Sequence, residues 1–314
     1  MEQTVYAVRR HAAAVRQQPS DRRSPSQGNM DLQFCPLADA PFGVEVRGVT
    51  WERPDEITVQ RLTVALRGHL LLVLRGQTVP TEGQLDEFMR GFGRLVLETE
   101  DGAFHYALQV HQEGPKSEQA IANSHYLKRR ADNTGSTYHS SGEYGHTELI
   151  WHNDQNHKPQ LKTLSVFEAI DCEPVVVPTV FRNMYVAYET LPMDLRARLE
   201  FKQVVHFDPR LPGPKELPRL CDAMHPIFTP HPQSGRKALL VNDYTYRIVG
   251  FERSESDRLL AELRAHTDEW APHYFHQWRT GDLCIWDNIG LQHRRDSVPP
   301  NQKREMRQHG GVAE

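Results

Sequence analysis

Two imidazoles and a carboxylate fall within six positions in WHNDQNHKPQ, residues 151–160: His152, Asp154 and His157. Their donor atoms are those that bind a divalent metal. In an extended strand, side chains at i and i+2 share a face, so His152 and Asp154 can reach one ion while Asn153 points away. His157, three residues beyond Asp154, projects to the other face and stands outside such a shell. Two protein ligands make a poor site, so a third is needed. Two His and one carboxylate on one face of an octahedron are the ligand set of non-heme iron(II) oxygenases, with three positions left open. The candidate third ligand is His293 in IWDNIGLQHRRD, 139 positions beyond Asp154. Only a closed β fold erases such a separation. A zinc hydrolase built on the same trio is the rival chemistry, but the chain has no HExxH, and its nearest general-base candidate is Glu148, just upstream.

The elements that would position these residues are legible in outline. At 314 residues, 38% of them hydrophobic, the chain can bury a full core. No run approaches the ~20 apolar residues of a membrane span, so a membrane role has no support. A net charge of -4 lacks the basic face of a nucleic-acid binder. The four cysteines (35, 172, 221 and 284) lie far apart without a CxxC, which fits a reduced, cytoplasmic setting. Residues 1–30 are basic and rich in Ser, Gln and Pro, without the apolar core of a secretory signal; they read as a disordered extension before a single domain over 31–314.

Within that domain, 57–67 repeats apolar residues at helical spacing, and 69–76 is an apolar run ending in Gly that suits a buried strand. TEGQLDEFMRGFGRL at 81–95 reads as a helix capped by Thr81 and closed by Gly93. The stretch 115–148 is polar and aperiodic, a long loop whose part from 123 to 147, with His125, Tyr126, Tyr138, His139 and Tyr144, is a candidate substrate lid. Strands follow at 161–170 and at the start of 178–191, which continues into a helix. HPQSGRKALLVN is a turn and strand, 254–270 an amphipathic helix, and QWRTGDLCIWDN a turn and strand. The number of short strands argues for a barrel or sandwich rather than a parallel sheet.

The words WHND, PTVF, HPQSGRKALLVN, WRTGDLCIWDN followed by QHR, and REMR occur in one order with regular separations. This series resembles the TauD/TfdA-like (taurine and 2,4-dichlorophenoxyacetate dioxygenase) family of Fe(II)- and 2-oxoglutarate-dependent oxygenases, over roughly residues 31–311. The resemblance implies an α+β, mainly β fold: a double-stranded β-helix, or jelly-roll, of cupin-like form with flanking helices. It implies His152, Asp154 and His293 as metal ligands. Thr179, 27 positions beyond His152, sits where the family has a Thr touching 2-oxoglutarate. Arg304, 11 positions beyond His293, matches the Arg that holds the distal carboxylate of that co-substrate, a role a planar guanidinium fills well.

The implied activity is an oxygenase that uses Fe(II), 2-oxoglutarate and O2 to hydroxylate an unactivated C–H of a small organic substrate, releasing succinate and CO2. Desaturation, epoxidation and cyclisation are alternatives on the same cofactors, and a non-catalytic ligand-binding β-barrel is an alternative of another class. Halogenation is disfavoured, because related halogenases put a small residue where Asp154 stands. Candidate substrate-facing residues are Asn153, Glu148, Arg307, Gln308, His125 and Tyr126, with Arg307 expected to point outward. The partner is a small molecule, with no nucleic acid and no membrane; a homo-oligomer is compatible. One departure stands out: where family members often read REMRR and use the last Arg on an anionic substrate, this chain reads REMRQ, with Gln308 in that place.

Overall fold

Runs rich in Leu, Val, Ile and Phe, such as Leu71–Leu74 and Leu164–Cys172, supply the central strands, because such side chains pack well on a pleated, half-buried surface. The computed structural model describes residues 32–49, 55–95, 105–111, 124–129, 136–141, 148–173, 176–207, 223–299, 302 and 304–313. Residues 1–30, read above as an extension, lie outside them. Among the described residues the architecture is mixed helix and sheet, mainly sheet.

The larger sheet has ten strands. Its path runs Gln33–Pro36, Val44–Arg47, Leu71–Leu74, Leu283–Asp287, Leu164–Cys172, Arg304–Ala313, His105–His111, Ser124–Arg129 and Ser136–Ser141, with Gly93–Leu95 paired off it against Arg304–Ala313. Every pairing is antiparallel except Val44–Arg47 with Leu71–Leu74. The smaller sheet has four strands, in the order His273–His276, Thr179–Asn183, Leu291–Arg295 and Leu149–His152. Two minor ladders, of three and two strands, complete the sheets.

Apolar side chains from both main sheets and from the helix Arg253–Trp270 form one core, in which Phe181, Trp278 and Trp286 are almost fully buried. A second core lies where the helices Glu56–His69 and Glu82–Arg90 cover the larger sheet through Leu62, Leu66, Leu85 and Phe88. Thr81 caps the latter helix as expected, in a reciprocal capping box with Gln84. The helix ends at Arg90 rather than near Gly93, because 93–95 is drawn into the ladder with Arg304–Ala313.

The loop expected over 115–148 is overturned in part, since Ser124–Arg129 and Ser136–Ser141 are paired antiparallel strands. The signal was present: two short runs with Tyr, Thr and His flank Asn133-Thr134-Gly135, a turn sequence. Lack of apolar residues masked it, because strands at a sheet's margin need no apolar alternation.

One of the links between the two main sheets is the tight turn between Leu283–Asp287 and Leu291–Arg295. Asp287 accepts at 2.9 Å from the backbone N–H of both Ile289 and Gly290, and the Tyr185 hydroxyl donates to its other oxygen at 2.6 Å. Tyr185 lies so close that a Cβ on Gly290 would meet its ring at 2.2 Å. Gly290→Ala is therefore expected to lower stability by about 1–3 kcal/mol through this overlap, read as a lower midpoint in chemical denaturation. An unchanged midpoint would show that Tyr185 yields freely.

Candidate metal centre

His152 and His293 are adjacent because of register. Their strands are antiparallel neighbours in the smaller sheet, His152 lies directly opposite His293, and the ring centroids are 4.2 Å apart. Phe181 is the opposite residue on the other flank of His293, and Trp286 approaches the same imidazole at 5.0 Å between ring centres. Nδ1 of His152 is 2.7 Å from the carbonyl oxygen of Ile150. That oxygen only accepts, so Nδ1 carries the proton and Nε2 offers its lone pair. Burial, aided by His152 nearby, pushes His293 down to about 3, which keeps it the neutral imidazole that a metal requires.

Asp154 completes the trio, though not as part of a strand. The strand ends at His152, and Asp154 opens a turn in which Gln155 has φ 59°. Asp154 thus meets His152 from a turn and not as its i+2 neighbour within a strand. The turn is held by Asn288: its Oδ1 accepts from the Asp154 N–H at 2.9 Å, and its amide donates to the carbonyls of Asp154 at 3.0 Å and Lys162 at 2.8 Å. His225 closes the far side, with Nε2 3.0 Å from the carbonyls of both Asn156 and Lys158.

One ligand atom from each of His152, Asp154 and His293 lies within 4.8 Å of the others. Oδ1 of Asp154 is 3.9 Å from Nε2 of His152 and 3.7 Å from Nε2 of His293. Ligands at about 2.0–2.2 Å from a shared ion span such distances, so two imidazole nitrogens and a carboxylate oxygen fit a divalent transition metal. It is the one such group of His, Cys, Asp or Glu among the described residues, and His157 is outside it.

The outer oxygen of Asp154 is crowded. Oδ2 accepts from Ser165 Oγ at 2.5 Å and from Gln308 Nε2 at 2.8 Å, and Lys162 Nζ stands 3.7 Å away. Burial pushes the carboxyl up, but the Lys162 ammonium pulls it down and, with the bond from Ser165, leaves it well below the usual carboxylate range. Lys162 and Ser165 were missed in the sequence. The available signal was a Lys heading the apolar run Leu164–Cys172, where a charge has no solvent to reach.

The remaining candidates fall in different places. Thr179 is buried, and its Oγ1 accepts from the Trp278 indole at 2.9 Å, which leaves its own O–H as a donor. Arg304 is wholly buried on the larger sheet with its guanidinium over Phe167; burial lowers it to about 10, still a cation at neutral pH.

Asn153 does not face a substrate. It is 3% exposed and donates to the carbonyls of Asn288 and Leu291, while Asn156 and Asn242 donate to it. Arg307 does not point to solvent either: it is buried on the opposite face of its strand, bonded to Glu168 and to the Pro80 carbonyl at 2.7 Å. Gln308 reaches the metal-site carboxylate itself. Glu148 is exposed just before Leu149–His152. His125 and Tyr126 lie in Ser124–Arg129 toward the margin of the larger sheet; Tyr144 lies outside the described residues.

The family model described as "Taurine catabolism dioxygenase TauD, TfdA family" matches residues 33–309. The chain belongs to the TauD/TfdA family. It is an oxidoreductase, a dioxygenase that uses 2-oxoglutarate and O2 with iron. Among its relatives, the (S)-phenoxypropionate/alpha-ketoglutarate-dioxygenase of Sphingobium herbicidovorans is 30% identical over 88% of this chain and 93% of that protein. Pentalenolactone F synthase of Streptomyces avermitilis is 27% identical over 88% and 92%. A solved structure of AAD-2 in complex with Mn(II) and N-oxalylglycine shares the fold at a TM-score of 0.69 and 22% identity, covering 90% of this chain and 98% of that one. Members of the TauD/TfdA family act on small molecules, and no described helix here is long and apolar enough to cross a membrane. Among the described residues, Cys35, Cys172 and Cys284 form no disulfide.

Asn288→Ala removes three buried hydrogen bonds and leaves their partners unsatisfied, so it should cost about 2–4 kcal/mol and weaken Mn(II) binding in calorimetric titration. Undiminished binding would show that the Asp154 turn stands without it.

Proposed function

We propose that this TauD/TfdA member hydroxylates an unactivated C–H bond of a small organic substrate, coupled to conversion of 2-oxoglutarate to succinate and CO2. The observation that carries this reading is the convergence of His152, Asp154 and His293 within 4.8 Å. When bound there, ferrous iron supplies the Lewis acid for the keto acid and the redox centre for O2.

The chain's own residues do the rest. His152 and His293 offer neutral nitrogens, and Asp154 offers a carboxylate whose second oxygen is already engaged by Ser165 and Gln308. Arg304 holds the distal carboxylate of 2-oxoglutarate, and the Thr179 hydroxyl, oriented by Trp278, donates to the same co-substrate. Phe167, Phe181 and Trp286 keep water from the space between the sheets. These two sheets we take as the halves of a jelly-roll, within one domain over 31–314. Asp154 in the carboxylate position disfavours halogenation, and the intact trio disfavours a silent binding barrel. Glu148, and Gln308 from the edge of the metal site, remain the substrate candidates among the described side chains, and His125 and Tyr126 are kept as candidates by their place in the chain alone. The lack of a guanidinium at Gln308 argues against an anionic substrate gripped there.

His152→Ala, Asp154→Ala and His293→Ala should each abolish iron-dependent succinate release, followed by coupled oxygen uptake across a panel of small substrates. Arg304→Ala should raise the 2-oxoglutarate KM roughly ten- to a hundredfold, since a charge-assisted hydrogen bond contributes on the order of 1.5–3 kcal/mol. Zinc-supported turnover without oxygen would refute the oxygenase reading, and full activity in His293→Ala would refute the third ligand.

A further inference from the structure

Lys162 is a buried cation placed against a metal ligand. It is 4% exposed, its own carbonyl is fixed by Asn288, and its Nζ lies 3.7 Å from Asp154 Oδ2, on the side away from the imidazoles. That separation is too long for a hydrogen bond, so the interaction is one of charge. The direct hydrogen bonds to Oδ2 come from Ser165 and Gln308, both neutral. Without Lys162 the metal-free site would hold a buried carboxylate with no full positive charge among the described groups on its outer oxygen. An uncompensated buried charge of this kind is strongly unfavourable.

We propose that Lys162 is the resident counter-ion of Asp154. It balances the carboxylate when no metal is bound, and a divalent metal therefore binds against its charge. Lys162 is in this sense a positioning residue: it touches neither substrate nor co-substrate, and acts through Asp154. Ser165 and Gln308 fix which way the carboxylate faces, presenting Oδ1 to the imidazoles, while Lys162 sets how strongly that oxygen attracts a cation. Two consequences follow from Coulomb's law in a poorly screened interior. Removing the ammonium destabilises the metal-free protein and tightens its grip on a divalent metal. A purely structural role would give the first effect and not the second, because a damaged site holds metal more weakly. The proposal rests on the metal-ligand assignment above, and its test separates the two.

The test is anaerobic titration of metal-free protein with Mn(II) at neutral pH, by calorimetry and by the EPR signal of free Mn(II), with no co-substrate. Lys162→Met, which keeps the length of the side chain, should lower the Kd for Mn(II) tenfold or more, and Lys162→Arg should stay within about threefold of the wild type. The melting temperature of metal-free Lys162→Met should fall, and its rise on adding Mn(II) should exceed that of the wild type. An unchanged or weaker Kd in Lys162→Met overturns the proposal. If Lys162→Met does not fold, Asp154→Asn and the double variant Asp154→Asn/Lys162→Met decide the matter: the neutral pair should melt above Asp154→Asn alone, and a double variant that melts below it overturns the proposal. Wild-type protein that binds no Mn(II) overturns the metal-ligand assignment and, with it, competition by Lys162; the melting comparison still reports separately on the ion pair.

Discussion

The side chain of Asn288 joins the two parts of the chain that make the site. It sits in the turn leading from the larger sheet into the strand that bears His293, and it bonds both the N–H and the carbonyl of Asp154 as well as the carbonyl of Lys162. A primary amide suits this role because it both donates and accepts, and Asp154 presents one N–H and one carbonyl on the same side. The turn in turn depends on Asp287, Tyr185 and the absence of a side chain at Gly290. Metal-ligand geometry is thereby tied to the inter-sheet connection rather than to the flexibility of a surface loop. The same turn delivers the third ligand and orients the second.

Cross-strand register does the remaining work. His152 opposite His293, and Phe181 opposite His293 on the other flank, form one row across the smaller sheet. Because side chains alternate faces, a slip of one residue would turn His293 away from Asp154 and bring Arg294 in its place. Burial of the row against Trp286 opposes that slip, since a guanidinium could not be accommodated there without a partner.

Much of this was legible in the sequence. The convergence of the trio follows from motif order, and the placement of Glu56–His69, Leu71–Leu74 and Arg253–Trp270 follows from apolar periodicity. What escaped was of two kinds. Ser124–Arg129 and Ser136–Ser141 carry no apolar alternation, so their pairing has no local periodic signature. Asn153, Arg307, Lys162 and Ser165 have roles set by contacts with residues remote in sequence: Arg307 with Glu168, Asn153 with Asn242 and Asn288, and Lys162 and Ser165 with Asp154. A charged residue reads as solvated in one dimension, and only the fold reveals that its partner is waiting inside.

Gln308 illustrates how such a partner set redistributes charge. At the place where the REMRR motif carries a guanidinium, a carboxamide donates a hydrogen bond to Asp154 and brings no charge. A positive charge beside that oxygen comes from Lys162, at the head of the strand Leu164–Cys172, which is hydrogen-bonded to the strand bearing Gln308. The Arg304–Ala313 strand is thus left with Arg304 facing Phe167 and Arg307 neutralised by Glu168 on the other face. A cation held 3.7 Å from Asp154 and buried at the metal site is committed to that carboxylate. It is therefore poorly placed to grip a substrate, and recognition in this chain must draw on groups beyond the REMR motif.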